Sequence, residues 1–308
     1  MYNANDPRST LASATTSAAP VATAFAAADY ARFHEESAQE DGPDGRTWYV
    51  RGQAFLIAYS DARAGGTFAR SGQVDEYMLL LPDDGCALEV TAEGKSEVVR
   101  GRALVIVPPG DSSIKALADG RMVRLFSTQS ADLTAKCSNA EAYLVDHPNV
   151  PPFRPWPSPV GGYRLRVYYL ADVPKQAGRF GCLFRCTTLM VNLFDVSPPR
   201  DVTKLSPHHH DDFEQGSLAL KGTYTHHIRW PWTSDMNAWR ADDHEVCGTP
   251  SIAIIPPPAI HTSRGMDPEG NQLVDIFAPP RMDFSLKPGW VLNADDYPMP
   301  AQASQDNS

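Results

Sequence analysis

The chain has no run of about 18 apolar residues anywhere in its 308, so no membrane-spanning helix is expected. It has no CxxC pair; its cysteines are an odd set of five (Cys86, Cys137, Cys182, Cys186, Cys247), as expected for reduced thiols in a cytoplasmic protein. Positive charge is short as well. Lys and Arg number 27 against 37 Asp and Glu, a formal net charge of -10, and such a surface repels phosphate backbones, which excludes nucleic acid as a partner. Residues 1–27 are rich in Ala, Ser and Thr but lack a basic start and a continuous apolar stretch, with Pro20 interrupting. They read as a disordered leader rather than an export signal, with a helical turn expected near 26–33.

Long helical patterns are scarce too. What fills residues 47–126 is a series of short apolar runs between Gly and Asp turns, such as Tyr77-Met78-Leu79-Leu80-Leu81 and Ala103-Leu104-Val105-Ile106-Val107. Runs of that length between turn residues are strands, and the class is all-β. Residues 147–162 carry Pro148, Pro151, Pro152, Pro155, Pro157 and Pro159, a density that blocks regular pairing and makes a stiff connector. The expected organisation is a leader (1–27), a first β-module (28–146), the Pro-rich linker (147–162), a second module (163–292) and a polar tail (293–308).

The second module holds Ser206-Pro207-His208-His209-His210-Asp211-Asp212-Phe213-Glu214. On a strand, alternation places His208, His210 and Glu214 on one face and His209 on the other. Two imidazoles and a carboxylate lack one ligand for a metal site, and His261, after the Pro256-Pro257-Pro258 turn, is the candidate fourth. Three neutral imidazoles with one carboxylate suit a divalent transition metal (Fe, Mn, Ni, Cu, Co or Zn) and suit Ca or Mg poorly. One such ion per chain is the expected cofactor.

These residues resemble the two motifs of the cupin family. In the first, His-x-His is followed after three or four residues by Glu, with Gly six residues further on. Here His208-x-His210 and Glu214 match, Val202 stands where the leading Gly belongs, and Gly222 comes one residue late. In the second, Gly248, Pro256-x-Pro258 and His261 follow in order, with Gly265 where Asn is expected. Residues 101–113 repeat this second motif, with Pro108-Pro109-Gly110 in place and Ser113 at the His position. Arg70 and Gly72 stand where the first module would need His-x-His, ahead of Glu76. The resemblance implies two cupin-type, jelly-roll-like β-barrels in tandem, a bicupin of which only the C-terminal half is equipped for metal. It also implies a homodimer.

Around the metal, residues 223–232 alternate Tyr224, His226, Ile228 and Trp230 with Thr225, His227 and Arg229, and the sequence leaves open which set lines the pocket. His226 and His227 are the acid–base candidates, together with Glu214. Arg229 and Arg264 are candidates for holding a substrate carboxylate, and Trp230, with Trp232 and Phe213, for the pocket wall. The family resemblance implies a small-molecule enzyme. The first expectation is a dioxygenase acting on an enolisable or aromatic substrate, the second a redox-neutral isomerase or lyase, and the third a binding module without turnover.

Overall fold

The computed structural model describes residues 24–174, 176 and 178–301; the expected leader up to residue 23 lies outside them. Its largest sheet has seven antiparallel strands in the spatial order Arg166–Tyr169, Ala103–Val107, Tyr77–Leu81, Gly120–Ser127, Phe55–Ala62, Gly45–Arg51 and Glu40–Gly42. The apolar runs are continuous because both faces of this sheet are covered, and a strand buried on both faces needs no polar alternation. Leu56, Ala58, Tyr77, Leu79 and Val105 pack inward against a four-stranded sheet built from Thr67–Gln73, Gly110–Ala116, Ala87–Ala92 and Lys95–Arg100. Their neighbours Phe55, Ile57, Tyr59, Met78 and Leu80 face outward, against the second module.

That module repeats the arrangement. Its six-stranded sheet runs Asp29–Ala31, Ser251–Ile255, Glu214–Lys221, Gln272–Ala278, Met190–Leu193 and Cys182–Arg185. A three-stranded sheet of Asp243–Cys247, Tyr224–Arg229 and Ile260–Gly265 faces it. Each module is thus a two-sheet, jelly-roll-like sandwich rather than a closed barrel. The two large sheets stand back to back, and Phe184, Val191, Leu218, Ile252, Val274 and Ile276 complete one core with the outward row of the first module.

Strand pairing does not follow the boundaries expected at 28 and 163. Asp29–Ala31, next to the first module in sequence and expected as a helical turn, is the edge strand of the second module, paired with Ser251–Ile255. Arg166–Tyr169 in return pairs with Ala103–Val107 of the first. Between them, residues 147–162 form neither helix nor strand. The expected tail is docked rather than loose in its described part. Tyr297 is buried, its carbonyl accepts from Arg185 Nε at 3.0 Å, and Asn293 exchanges two hydrogen bonds with the Arg185 backbone.

A reciprocal pair of acids ties the modules together. Glu214 Oε2 accepts from the backbone N–H groups of Gln53 and Ala54 at 2.8 and 3.3 Å, in the turn of the first module's hairpin. Glu76 accepts from the Thr187 hydroxyl at 3.1 Å, in the corresponding turn of the second, and from the Tyr297 hydroxyl at 2.8 Å. Gly52 admits the first contact, since a Cβ there would lie 2.2 Å from Glu214 Oε2. Both carboxyls are fully buried, and burial raises both pKa values, that of Glu214 to about 7.

A shared core predicts shared unfolding. Ile57, wholly buried between the large sheets, loses about 2–5 kcal/mol on truncation to Ala. Calorimetry of Ile57→Ala should show one transition at lower temperature. Two separated transitions, one of them at the wild-type temperature, would show that the modules fold independently.

Candidate metal centre

The interior of the second module is polar where that of the first is apolar. Along Glu214–Lys221, Leu218 and Leu220 enter the shared core, so Gln215, Ser217 and Ala219 face the opposite way, into the sandwich. Across from them, Asp275 is the register partner of Ser217. A cavity of about 700 Å³ opens here, with His208, His261, Gln215 and Asp275 in its wall, together with Tyr224, Ser263, Arg200 and Lys204.

His208, His210 and His261 converge as expected. His208 and His261 form an antiparallel bridge, exchanging backbone hydrogen bonds of 3.1 and 2.8 Å. The ring centroids are 4.5 Å apart for His208 and His261, 5.0 Å for His210 and His261, and 6.3 Å for His208 and His210. Glu214 is not with them. Residues 209–213 are not a strand: the chain bends at Asp211 and Asp212, and the strand begins only at Glu214. The bend breaks the alternation by one residue, which moves every later side chain to the other face. Glu214 therefore points into the junction between modules, and Gln215 takes the fourth position beside the imidazoles. The signal was present in the motif. With four residues between His210 and the fourth ligand, Gln215 matches and Gly222 falls six residues later, as the pattern requires.

The donor chemistry of this quartet fits a metal cation. Each ring sets Nδ1 against a backbone carbonyl: His208 against Ser206 at 2.9 Å, His261 against Ala259 at 2.9 Å, His210 against Phe213 at 3.1 Å. Such contacts fix the tautomer and aim the Nε2 lone pair. The Gln215 amide nitrogen is turned toward Ser217 Oγ at 3.0 Å and Asp275 Oδ1 at 3.3 Å. Its Oε1 then lies 3.0 Å from His210 Nε2 and 3.3 Å from His261 Nε2. Burial holds His210 well below the usual imidazole pKa, so this ring carries one proton while both of its nitrogens face oxygen acceptors. A cation at Nε2 resolves that conflict. Donors bound at about 2.1 Å lie about 3.0 Å apart at right angles and about 3.4 Å apart at tetrahedral angles, and the two distances from Gln215 Oε1, 3.0 and 3.3 Å, fall in that range. Among the described residues no three His, Cys, Asp or Glu side chains form a metal-holding group by themselves; the arrangement depends on the carboxamide.

The remaining candidates divide by face. His226 points inward, is fully buried, contacts Ser263 Oγ at 2.9 Å, and is pushed by burial to a pKa of about 3. It cannot serve as a base in exchange with solvent near neutral pH. His227 lies on the outer face, with Nδ1 at 2.9 Å from Nδ1 of His244 on the strand Asp243–Cys247. Arg229 is outside too, paired with Asp242, and Arg264 shares that face as the register partner of Thr225. Neither reaches the cavity, where Arg200 is the guanidinium in place, donating to Ser263 O at 3.1 Å and Ser206 Oγ at 2.6 Å. Trp230 is buried in a separate apolar cluster with Phe25 and Ile255, and Trp232 is exposed, stacked on Trp239. Phe213 stacks on the His210 ring at 3.8 Å, a packing role behind the site. In the first module Arg70 pairs with Asp132, and apolar side chains fill the interior. The residue types that sequence reasoning passed over at the site are the amide Gln215 and the cavity pair Arg200 and Asp275.

No protein-family model and no curated protein matches the sequence. Solved structures do match in fold. Lactobacillus farciminis oxalate decarboxylase in its formate complex superposes with a TM-score of 0.55 at 14% identity, over 82% of this chain and 86% of that one. A mutant of Bacillus subtilis oxalate decarboxylase gives 0.54 at 13% identity, over 86% and 82%. AerE from Microcystis aeruginosa gives 0.52 at 8%, over 83% and 99%. These are likenesses of fold, and the two-module, cupin-type jelly-roll-like fold expected from the paired motifs is the fold found.

Proposed function

We propose that the chain is a metal-dependent enzyme of redox-neutral type, a lyase or isomerase, acting on a small polar substrate with an anionic or carbonyl oxygen. The observation that carries this reading is Gln215. Three imidazoles and an amide are all neutral donors, so a divalent transition metal held by His208, His210, His261 and Gln215 would keep its full charge and supply Lewis-acid polarisation of a substrate oxygen. A carboxylate in that position would offset the charge and favour higher oxidation states, as a dioxygenase would use; here the junction between modules has taken the carboxylate.

The cavity wall supplies the rest. Arg200, oriented by Ser206 and Ser263, and Lys204 favour an anionic group on the substrate. Tyr224 also lines the cavity, and its phenol pKa is raised, first by burial and then by the nearby Asp275 carboxylate. It therefore stays protonated and donates a hydrogen bond to a substrate oxygen. Asp275 fixes the amide of Gln215 rather than acting on the substrate. Among the described residues no helix is long and apolar enough to cross a membrane.

After dialysis against a weak chelator, elemental analysis should find about one transition-metal ion per chain. His261→Ala and Gln215→Ala should each lose it, with affinity lowered about 10–100-fold or more. Glu214→Gln, one residue away on the other face, should retain it, as should His209→Ala. Metal loss in Glu214→Gln with retention in Gln215→Ala would restore the carboxylate as ligand and remove the basis of this reading.

Turnover of hydroxy- and keto-acids should proceed at the same rate under nitrogen as in air, and Arg200→Ala should raise KM for anionic substrates about tenfold or more, the range for a lost charge-assisted contact. Stoichiometric oxygen uptake would instead establish the dioxygenase.

A further inference from the structure

We propose that His227 and His244, on the outer face of the three-stranded sheet, form a separate metal site that takes Cu(II) or Ni(II). The two residues are direct register partners on the adjacent strands Tyr224–Arg229 and Asp243–Cys247, so both backbones hold the imidazoles side by side. Their Nδ1 atoms are 2.9 Å apart and the rings meet edge to face, with centroids at 5.0 Å.

The two nitrogens share a hydrogen bond at this separation; a metal ion would take the place of that proton, and the separation suits some ions better than others. With bonds of about 2.0–2.1 Å, two nitrogens at right angles on a tetragonal or octahedral ion lie about 2.9 Å apart, whereas tetrahedral Zn(II) would spread them to about 3.3–3.4 Å. The affinity order of divalent ions for nitrogen donors also peaks at copper. The pair is open to a cation because His244 is exposed and His227 only partly buried. Asp242, also on this face, is paired with Arg229. Two protein ligands leave most of the coordination sphere to water or to a ligand from outside, which marks an open, exchangeable site rather than a structural one.

The test is titration of the chelator-stripped full chain with Cu(II), followed by calorimetry and electron paramagnetic resonance, on the wild type and on His227→Ala, His244→Ala, His261→Ala and His209→Ala. The expected result is a copper signal split by two nitrogens that persists in His261→Ala and His209→Ala. It should be lost in His227→Ala and His244→Ala, with affinity at least about tenfold lower. His244 is exposed, so its replacement leaves the fold intact even if that of His227 does not. Unchanged copper binding in His244→Ala overturns the proposal, and so does an equal loss in His209→Ala, which would mark general binding to surface imidazoles. Because His261 belongs to the interior quartet, failure of that site and of this one are read on different variants.

Discussion

The structure depends on two large sheets packed back to back, each with one face in the common core and the other in its own module. Every residue on a shared strand is thereby assigned to one of two environments by parity alone. At the start of Glu214–Lys221 the consequence is chemical: the first residue, an acid, goes to the junction and the second, an amide, to the cavity. Glu214 gains two backbone donors from the opposite module, and burial drives its carboxyl toward the protonated form. The charge character of the cavity wall is in this sense a by-product of how the halves are joined.

The two modules use one scaffold for opposite ends. In the first, the inward row of the large sheet is Tyr77, Leu79 and Leu81, and it closes on Leu88, Val90 and Ile114. In the second, the corresponding row is Gln215, Ser217 and Ala219, facing Asp275 and the imidazoles. Burying polar groups is costly unless each finds a partner, and the chain of contacts from Asp275 through Ser217 and Gln215 to His210 and His261 meets that requirement. Arg70, Gly72 and Ser113 stand in the first module where imidazoles would be needed, and its interior is apolar.

Much of this was legible in the residues. The strands of the first module, the three converging imidazoles and the doubling of the motif all follow from local pattern, because strand periodicity and the proline turn are local properties. The faces of Glu214 and Gln215 did not follow, because alternation was carried through a bend at Asp211 and Asp212 ahead of the strand that begins at Glu214. The exchange of edge strands was also invisible: Asp29–Ala31 has too few positions for a period to show, and its partner lies more than two hundred residues away. His226 and His227 could not be assigned to faces because Ile228 and Thr225 are equally compatible with either. Only the register with Ile260–Gly265, which sets Ile228 opposite His261, decides it.

The exchange of edge strands also sets an order on synthesis. Arg166–Tyr169 emerges from the ribosome just after the first module and can close its sheet at once. Asp29–Ala31 emerges before anything it pairs with and waits until Ser251–Ile255 has been made. The edge of the second sheet stays open until that strand exists, and the step that seals it joins two segments more than two hundred residues apart.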